Sequence, residues 1–168
     1  MNRQKGFSLI ELLIVVAIIL IIAAIAIPNL LRSKMAANES SAVGSIRTIN
    51  TAQVAFSSTY GLGYGTLLQL GTPAGGCAGA TTAAACLLDS FLALGTKSGY
   101  TFTSVPGGGL GTNIQPFTTF NTTGIAVVFD QTGHSSYCSD ESGVIRRQSL
   151  GGAGGTAPCN TGGLPPLQ

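Results

Sequence analysis

The sequence predicts an α+β fold in which a long N-terminal helix packs on a small antiparallel β-sheet. Three observations carry this prediction. An uninterrupted apolar run over residues 7–27 passes into an amphipathic stretch that stops only at Gly61. Four later segments, rich in aromatic and β-branched residues, are separated by turn residues. The four cysteines, Cys77, Cys86, Cys138 and Cys159, all fall in this later part. At 168 residues the chain has room for one modest domain beyond the helix and not for two.

Charged residues make up only 8% of the chain and hydrophobic ones 45%, but 24 residues are glycine and many others are Ala, Ser or Thr. Such a composition is weakly charged and built of small side chains rather than dense in core residues. Soluble monomers normally carry more charge, so the sparse charge fits a surface packed against copies of itself. The formal net charge is +2, yet two of the eight positives, Arg3 and Lys5, lie in the first six residues. Without residues 1–6, six positives face six acids and the net charge is zero. The basicity that would argue for a nucleic-acid partner therefore disappears.

Residues 7–27 contain only Ser8 and Glu11 among apolar side chains. As a helix with a rise of about 1.5 Å per residue they span roughly 31 Å, one bilayer crossing. Leu, Ile and Val lie on every side, which rules out a soluble amphipathic helix. Arg3 and Lys5 on one flank oppose Arg32 and Lys34 on the other, so charge alone leaves the orientation open. The cysteines decide it: without metal-type spacing they predict two disulfides and a C-terminal body outside the cytoplasm. A secretory cut near Ala23-Ala24 or Ala26 fits poorly with Pro28 and the helix-friendly sequence after it. A cut at Gly6, before the run, would remove the leader charges and keep the anchor. Pro28 removes one helical hydrogen bond and is expected to kink the helix where it leaves the membrane.

Beyond Pro28 the pattern narrows to a stripe. Met35, Ala42, Val43, Ile46, Ile49 and Phe56 recur at helical spacing, with Glu39, Arg47, Asn50 and Gln53 interspersed, up to the stop at Tyr60-Gly61-Leu62-Gly63. A continuous helix over residues 7–60 would be about 80 Å long, so its first half must be buried in lipid or in other copies. Residues 61–85 read as loop, 86–94 as a short helix, and 100–105, 125–130, 135–139 and 143–148 as strands. Asp140-Glu141-Ser142-Gly143 reads as a hairpin turn. The apolar face of this four-stranded sheet needs a cover, and the stripe of the long helix supplies it.

The residues Gly6-Phe7-Ser8-Leu9-Ile10-Glu11-Leu12 resemble the processing and methylation motif of type IV pilins and of the pseudopilins of type II secretion. The likeness extends over roughly the first sixty residues. It implies a type IV pilin-like fold with residues 1–6 as a cleaved leader, 7–27 as transmembrane and filament-core helix, and 28–60 as its amphipathic continuation. Residues 61–168 would be a globular head with the four-stranded sheet and a C-terminal disulfide-bounded loop. The resemblance further implies cleavage after Gly6 and N-methylation of Phe7 on the cytoplasmic face by a prepilin peptidase/methyltransferase. Glu11 would pair with the N-terminal amine of a neighbouring subunit. A carboxylate in hydrocarbon costs at least about 2.5–3.5 kcal/mol, so a reserved partner is physically sensible. In the family a proline at the place of Pro28 accompanies local helix melting during assembly; many members carry glycine where this chain has Leu20.

The implied function is that of a structural subunit, stored in the inner membrane with its N-terminus cytoplasmic and then polymerised into an extracellular type IV pilus-like filament. Its partners would be other copies of itself, the peptidase and the inner-membrane assembly machinery. The alternatives are a major pseudopilin of a type II secretion system, which would act in the periplasm, and a DNA-binding competence pilin. The last requires a basic patch that the sequence lacks.

Of the three cysteine pairings, Cys77–Cys86 with Cys138–Cys159 is favoured because each closes a local loop, stabilising by about 2–4 kcal/mol per link. By resemblance, the second would pin the C-terminal tail and bound the variable surface loop. His134 and Cys138 lack a spaced set of four metal ligands. The sequence around His134 is not G-x-S-x-G. Asp130, Asp140 and Glu141 lack the ordered spacing of a calcium loop. Gly61-Leu62-Gly63-Tyr64-Gly65 lacks the spacing and the preceding strand of a dinucleotide site. Arg146 and Arg147 alternate across a strand without a basic cluster around them. No catalytic residue, metal site or cofactor is expected, and the chain is read as a non-enzyme.

Overall fold

The computed structural model describes residues 8–73, 75–149, 159 and 166–167. Its longest element is helix α1, Leu9–Tyr60, 52 residues with Pro28 inside it. The chain divides into two units, Met1–Lys34 and Met35–Gln168, and α1 contributes to both.

In the second unit α1 buries Met35, Ala42, Ser45, Ile46, Ile49, Ala52, Gln53 and Phe56. The spacing of three and four residues puts these on one face. They pack on an antiparallel sheet of five strands in sequence order: β1 (Thr96–Lys97), β2 (Tyr100–Gly107), β3 (Thr119–Ala126), β4 (Ser135–Asp140) and β5 (Arg146–Ser149). The long helix on a small antiparallel sheet is thus the architecture of the chain, α+β and pilin-like. Tyr100, Phe102, Tyr137 and Ile145 join the helix residues in one buried cluster with Leu70, Leu88 and Leu92. Gly124 lets the layers approach: a Cβ there would meet Cε1 of Phe102 at 2.9 Å and Cδ1 of Ile46 at 3.3 Å.

Several elements differ from the sequence reading. The sheet has five strands rather than four, because Gly99 at φ 74° closes a tight reversal that lets Thr96 and Lys97 pair with Thr101 and Tyr100. The strand expected over residues 125–130 lies at Thr119–Ala126 instead. Val127, Val128 and Phe129 have strand propensity, but Thr132 donates its N–H to Val128 O at 2.9 Å and Asp130 takes φ 60°, so this segment turns with its apolar side chains exposed. Polar Thr and Asn hid the true strand, whose inward positions are Phe120, Thr122, Gly124 and Ala126. The helix expected over 86–94 is reduced to α3, Ser90–Ala93, started by Asp89, whose side chain accepts the N–H of Leu92. Before it the chain is not helical: Cys86 takes a left-handed conformation at φ 58°, and Leu87 and Leu88 both donate to Leu70 O. Within the expected loop 61–85 lies a one-turn helix α2, Leu67–Leu70, held by a capping box of Thr66 and Gln69. The hairpin turn at residues 140–143 connects β4 and β5, with Gly143 donating to Asp140 O at 2.9 Å.

Both sheet edges are closed or blunted. Beyond β1, the open side of β2 carries Pro106. This residue is in phase with Phe102, whose N–H points away from β3 to Gly95 O, so the proline ring stands where a further strand would seek a donor. On the far edge, Pro166 bridges Arg146, and Leu167 donates to Ile145 O at 2.9 Å.

Candidate functional site

The N-terminal unit presents its apolar side chains outward. Every Leu, Ile and Val from Leu9 to Leu31 is exposed, from 45% at Val16 to 80% at Leu9. Among the described residues α1 is the one helix long and apolar enough to cross a membrane. Gly6 and Phe7 lie outside the described residues. Glu11 is exposed in the first turn of α1, and its Oε2 accepts the backbone N–H of Ser8 at 3.0 Å. Ser8-Leu9-Ile10-Glu11 has the spacing of a capping box, and the contact is the half of it in which the acidic side chain satisfies the N-cap amide. The sequence carried this signal, S-x-x-E ahead of an apolar run, although Glu11 invites reading only as an intruding charge. Pro28 is exposed and α1 continues through it, with the carbonyl of Ala24 deprived of its usual donor.

In the second unit, polar side chains on α1 fasten the sheet. Gln53 is fully buried: its Nε2 donates to Gly65 O at 2.6 Å and to Ser104 Oγ at 2.8 Å, while its Oε1 accepts Gly65 N–H at 2.8 Å. Glu39 accepts the N–H of His134 at 2.8 Å and the hydroxyl of Tyr137 at 3.2 Å. Asn38 and Asn50 reach Thr132 O and Ser139 Oγ. The signal was available: Glu39 lies four residues after Met35 and three before Ala42, and Gln53 four after Ile49 and three before Phe56, both inside the buried stripe. Burial raises the Tyr100 hydroxyl well above its ordinary pKa, with the Glu39 charge adding to it. The same two causes push Tyr137 up to about 12. Asp89, although raised by partial burial, is held below the usual carboxylate range by the Leu92 N–H and by Lys97.

The cysteines form two bridges. Cys77 is joined to Cys86 with Cα atoms 6.0 Å apart, and Cys138 to Cys159 at 5.5 Å. Asp130 pairs with His134 across one turn, whereas Asp140 caps its own hairpin through Ser142. Arg147 donates its Nε to Ser135 Oγ at 2.8 Å.

Residues 1–27 match the prokaryotic N-terminal methylation motif. Over 54 residues the chain is 50% identical to the type IV major pilin protein PilA of Myxococcus xanthus, covering 32% of this chain and 24% of that protein. Over 39 residues it is 62% identical to the type IV wide pilus major component PilA4 of Thermus thermophilus, covering 23% of this chain and 30% of that one. Over these stretches the chain is similar to type IV pilins. These matches span only about a quarter to a third of the length of the two relatives, and no solved structure matches the chain. The family model is matched by residues 1–27, and the body is described from its own geometry.

Proposed function

We propose that the chain is a non-enzymatic structural subunit of a type IV pilus-like filament, stored in the inner membrane and polymerised through α1. One observation carries this reading: sixteen Leu, Ile and Val side chains between Leu9 and Leu31 are exposed in the single chain. Covering them is worth on the order of 20 kcal/mol, more than the whole stability of most domains. Lipid supplies that cover before assembly and neighbouring copies supply it afterwards. The peptidase cuts after Gly6 on the cytoplasmic face and the new N-terminus at Phe7 is methylated. The Phe7 ammonium and the Glu11 carboxylate of adjacent copies then neutralise each other and set their register, while Pro28 leaves a weak point in the helix ladder. The pilus reading is preferred to the secretion pseudopilus because both relatives are pilus components by name. Intact-mass measurement of fibres sheared from the cell surface tests it. The expected chain begins at N-methylated Phe7; a chain beginning at Met1 or after Ala26 refutes the processing step.

A further inference from the structure

The body carries an apolar knob and an apolar pocket in different places. The knob is the tip between β2 and β3, where Leu110 is 73% and Ile114 92% exposed. It is an ordered tip: Leu110 and Thr112 both donate to Gln115 O, and Thr112 Oγ1 accepts the Gln115 N–H. Its root lies against the end of α1, with Phe117 donating to Leu62 O and accepting from Tyr64. The pocket, of about 230 Å³, is walled by Leu68, Pro73, Ala83, Ala84, Ala93 and Leu94, and Leu68 and Leu94 stand 66% and 70% exposed at its rim. It lies on the β1 flank, next to the Tyr100 end of β2, whereas the tip rises from the Gly107 end. The eight residues of β2 separate the two ends by roughly 25 Å.

We infer that the Leu110/Ile114 tip of one copy seats in the Leu68/Leu94 pocket of the next, giving a head-to-tail contact between bodies. This rests on the filament reading above and names a second contact within it. A knob and a pocket at separate places on one chain make a heterologous contact, which propagates from copy to copy and builds an open fibre where the rotation between copies does not close a ring. The electrostatics select a copy of this chain over a charged partner. Residues 98–129, which include the whole tip, hold no charged side chain, and beside the pocket Asp89 and Lys97 neutralise each other at 2.9 Å. An apolar knob that exposed is otherwise unfavourable in a soluble body.

The test is made in full-length chains assembled by the cell. A chain with both Ile114→Cys and Leu94→Cys is expected to give, in sheared and mildly oxidised fibres, a ladder of covalent multimers joined between positions 114 and 94. Each single variant should lack that ladder. Fibres that form without 114–94 links, or links from position 114 to another protein, overturn the inference. If the double-cysteine chain fails to assemble, a charge pair decides. Ile114→Lys should lower recoverable fibre about tenfold, the equilibrium equivalent of roughly one buried apolar side chain, and Leu94→Glu in the same chain should restore it. Unchanged yield with Ile114→Lys, or no rescue while peptide mapping finds both native disulfides intact, also overturns it. Absence of fibres from the unaltered chain would instead count against the filament reading.

Discussion

Between Leu9 and Lys34 the helix exposes Leu, Ile and Val on every side, whereas between Met35 and Tyr60 the same helix buries a stripe of eight residues and turns Thr48, Thr51 and Arg47 outward. The difference lies in where each half finds its cover. The second half finds it within its own chain, and so can afford polar residues inside the stripe provided each is hydrogen-bonded, as Gln53 and Glu39 are. The first half has no such cover among the described residues, and up to Ile27 its polar inventory is reduced to Ser8 and Glu11 at one end. Assembly and body stability should therefore fail separately.

The largest effect is expected from the N-terminal half. Glu11→Ala should leave insertion and cleavage intact and the body folded, yet reduce surface fibre by at least about tenfold, since an unpaired amine in a dry helix bundle costs several kcal/mol. Loss of the Ser8 contact should add only the few tenths to about 1 kcal/mol typical of a cap, too little to mimic this. Normal fibre from Glu11→Ala, measured by shearing and immunoblotting, would remove the pairing role and with it the asymmetry between the halves.

Next comes the body. Gln53→Leu fits the apolar stripe but abandons the N–H and C=O of Gly65 and the hydroxyl of Ser104, all tied to the amide now. Ser104 Oγ keeps the hydroxyl of Thr122, so the two Gly65 groups are the orphans; at about 1–3 kcal/mol each, thermal unfolding of the full chain in detergent should show a loss of about 3 kcal/mol with leader cleavage unaffected. A neutral result would mean the stripe tolerates any residue of that volume.

Gln53 also marks the limit of what the sequence disclosed. The apolar run, the stripe and the hairpin turn at Gly143 were legible because period and turn chemistry are local. The strand at Thr119–Ala126 was not, because its inward face is Phe-Thr-Gly-Ala and its fit depends on Phe102 and Ile46 from elsewhere in the chain. The same holds for the non-helical segment at Cys86, where hydrogen bonds to Leu70 and Gly71 override a helical pattern in Leu87, Leu88 and Phe91. At the N-terminus the reverse is true: Glu11 stands out in the sequence itself, since a charge in an apolar run is conspicuous in any fold.

A smaller effect separates the halves by pH. Tyr100 and Tyr137 have hydroxyl pKa values raised above the ordinary 10, Tyr137 to about 12, and both lie in the body. A group whose folded pKa is raised contributes stability that is complete below its unfolded pKa and is lost as pH climbs through the folded one. Stability of the body should thus be level up to about pH 10 and decline toward pH 12. Tyr137→Phe should flatten part of that decline while costing about 1 kcal/mol at neutral pH for the lost bond to Glu39. Near-ultraviolet circular dichroism against pH reads this directly.

The smallest effect is the most discriminating. Gly44 sits in the body's stretch of α1, exposed, and a Cβ built there meets nothing within 4 Å. Glycine inside a helix costs about 0.5–1 kcal/mol relative to alanine, so Gly44→Ala should stabilise the isolated chain by that amount. Nothing among the described residues explains the glycine. If thermal unfolding rises by the expected few degrees while fibre yield is unchanged, the outward face of this half is free in the filament, and the division between a self-covered and a copy-covered half of α1 is sharp at Lys34. If stability rises but fibre falls, a neighbouring copy approaches Gly44 closely, and the copy-covered surface continues past Lys34 along the outward face. A methyl group is enough to tell these apart because close-packed helices feel even one added carbon.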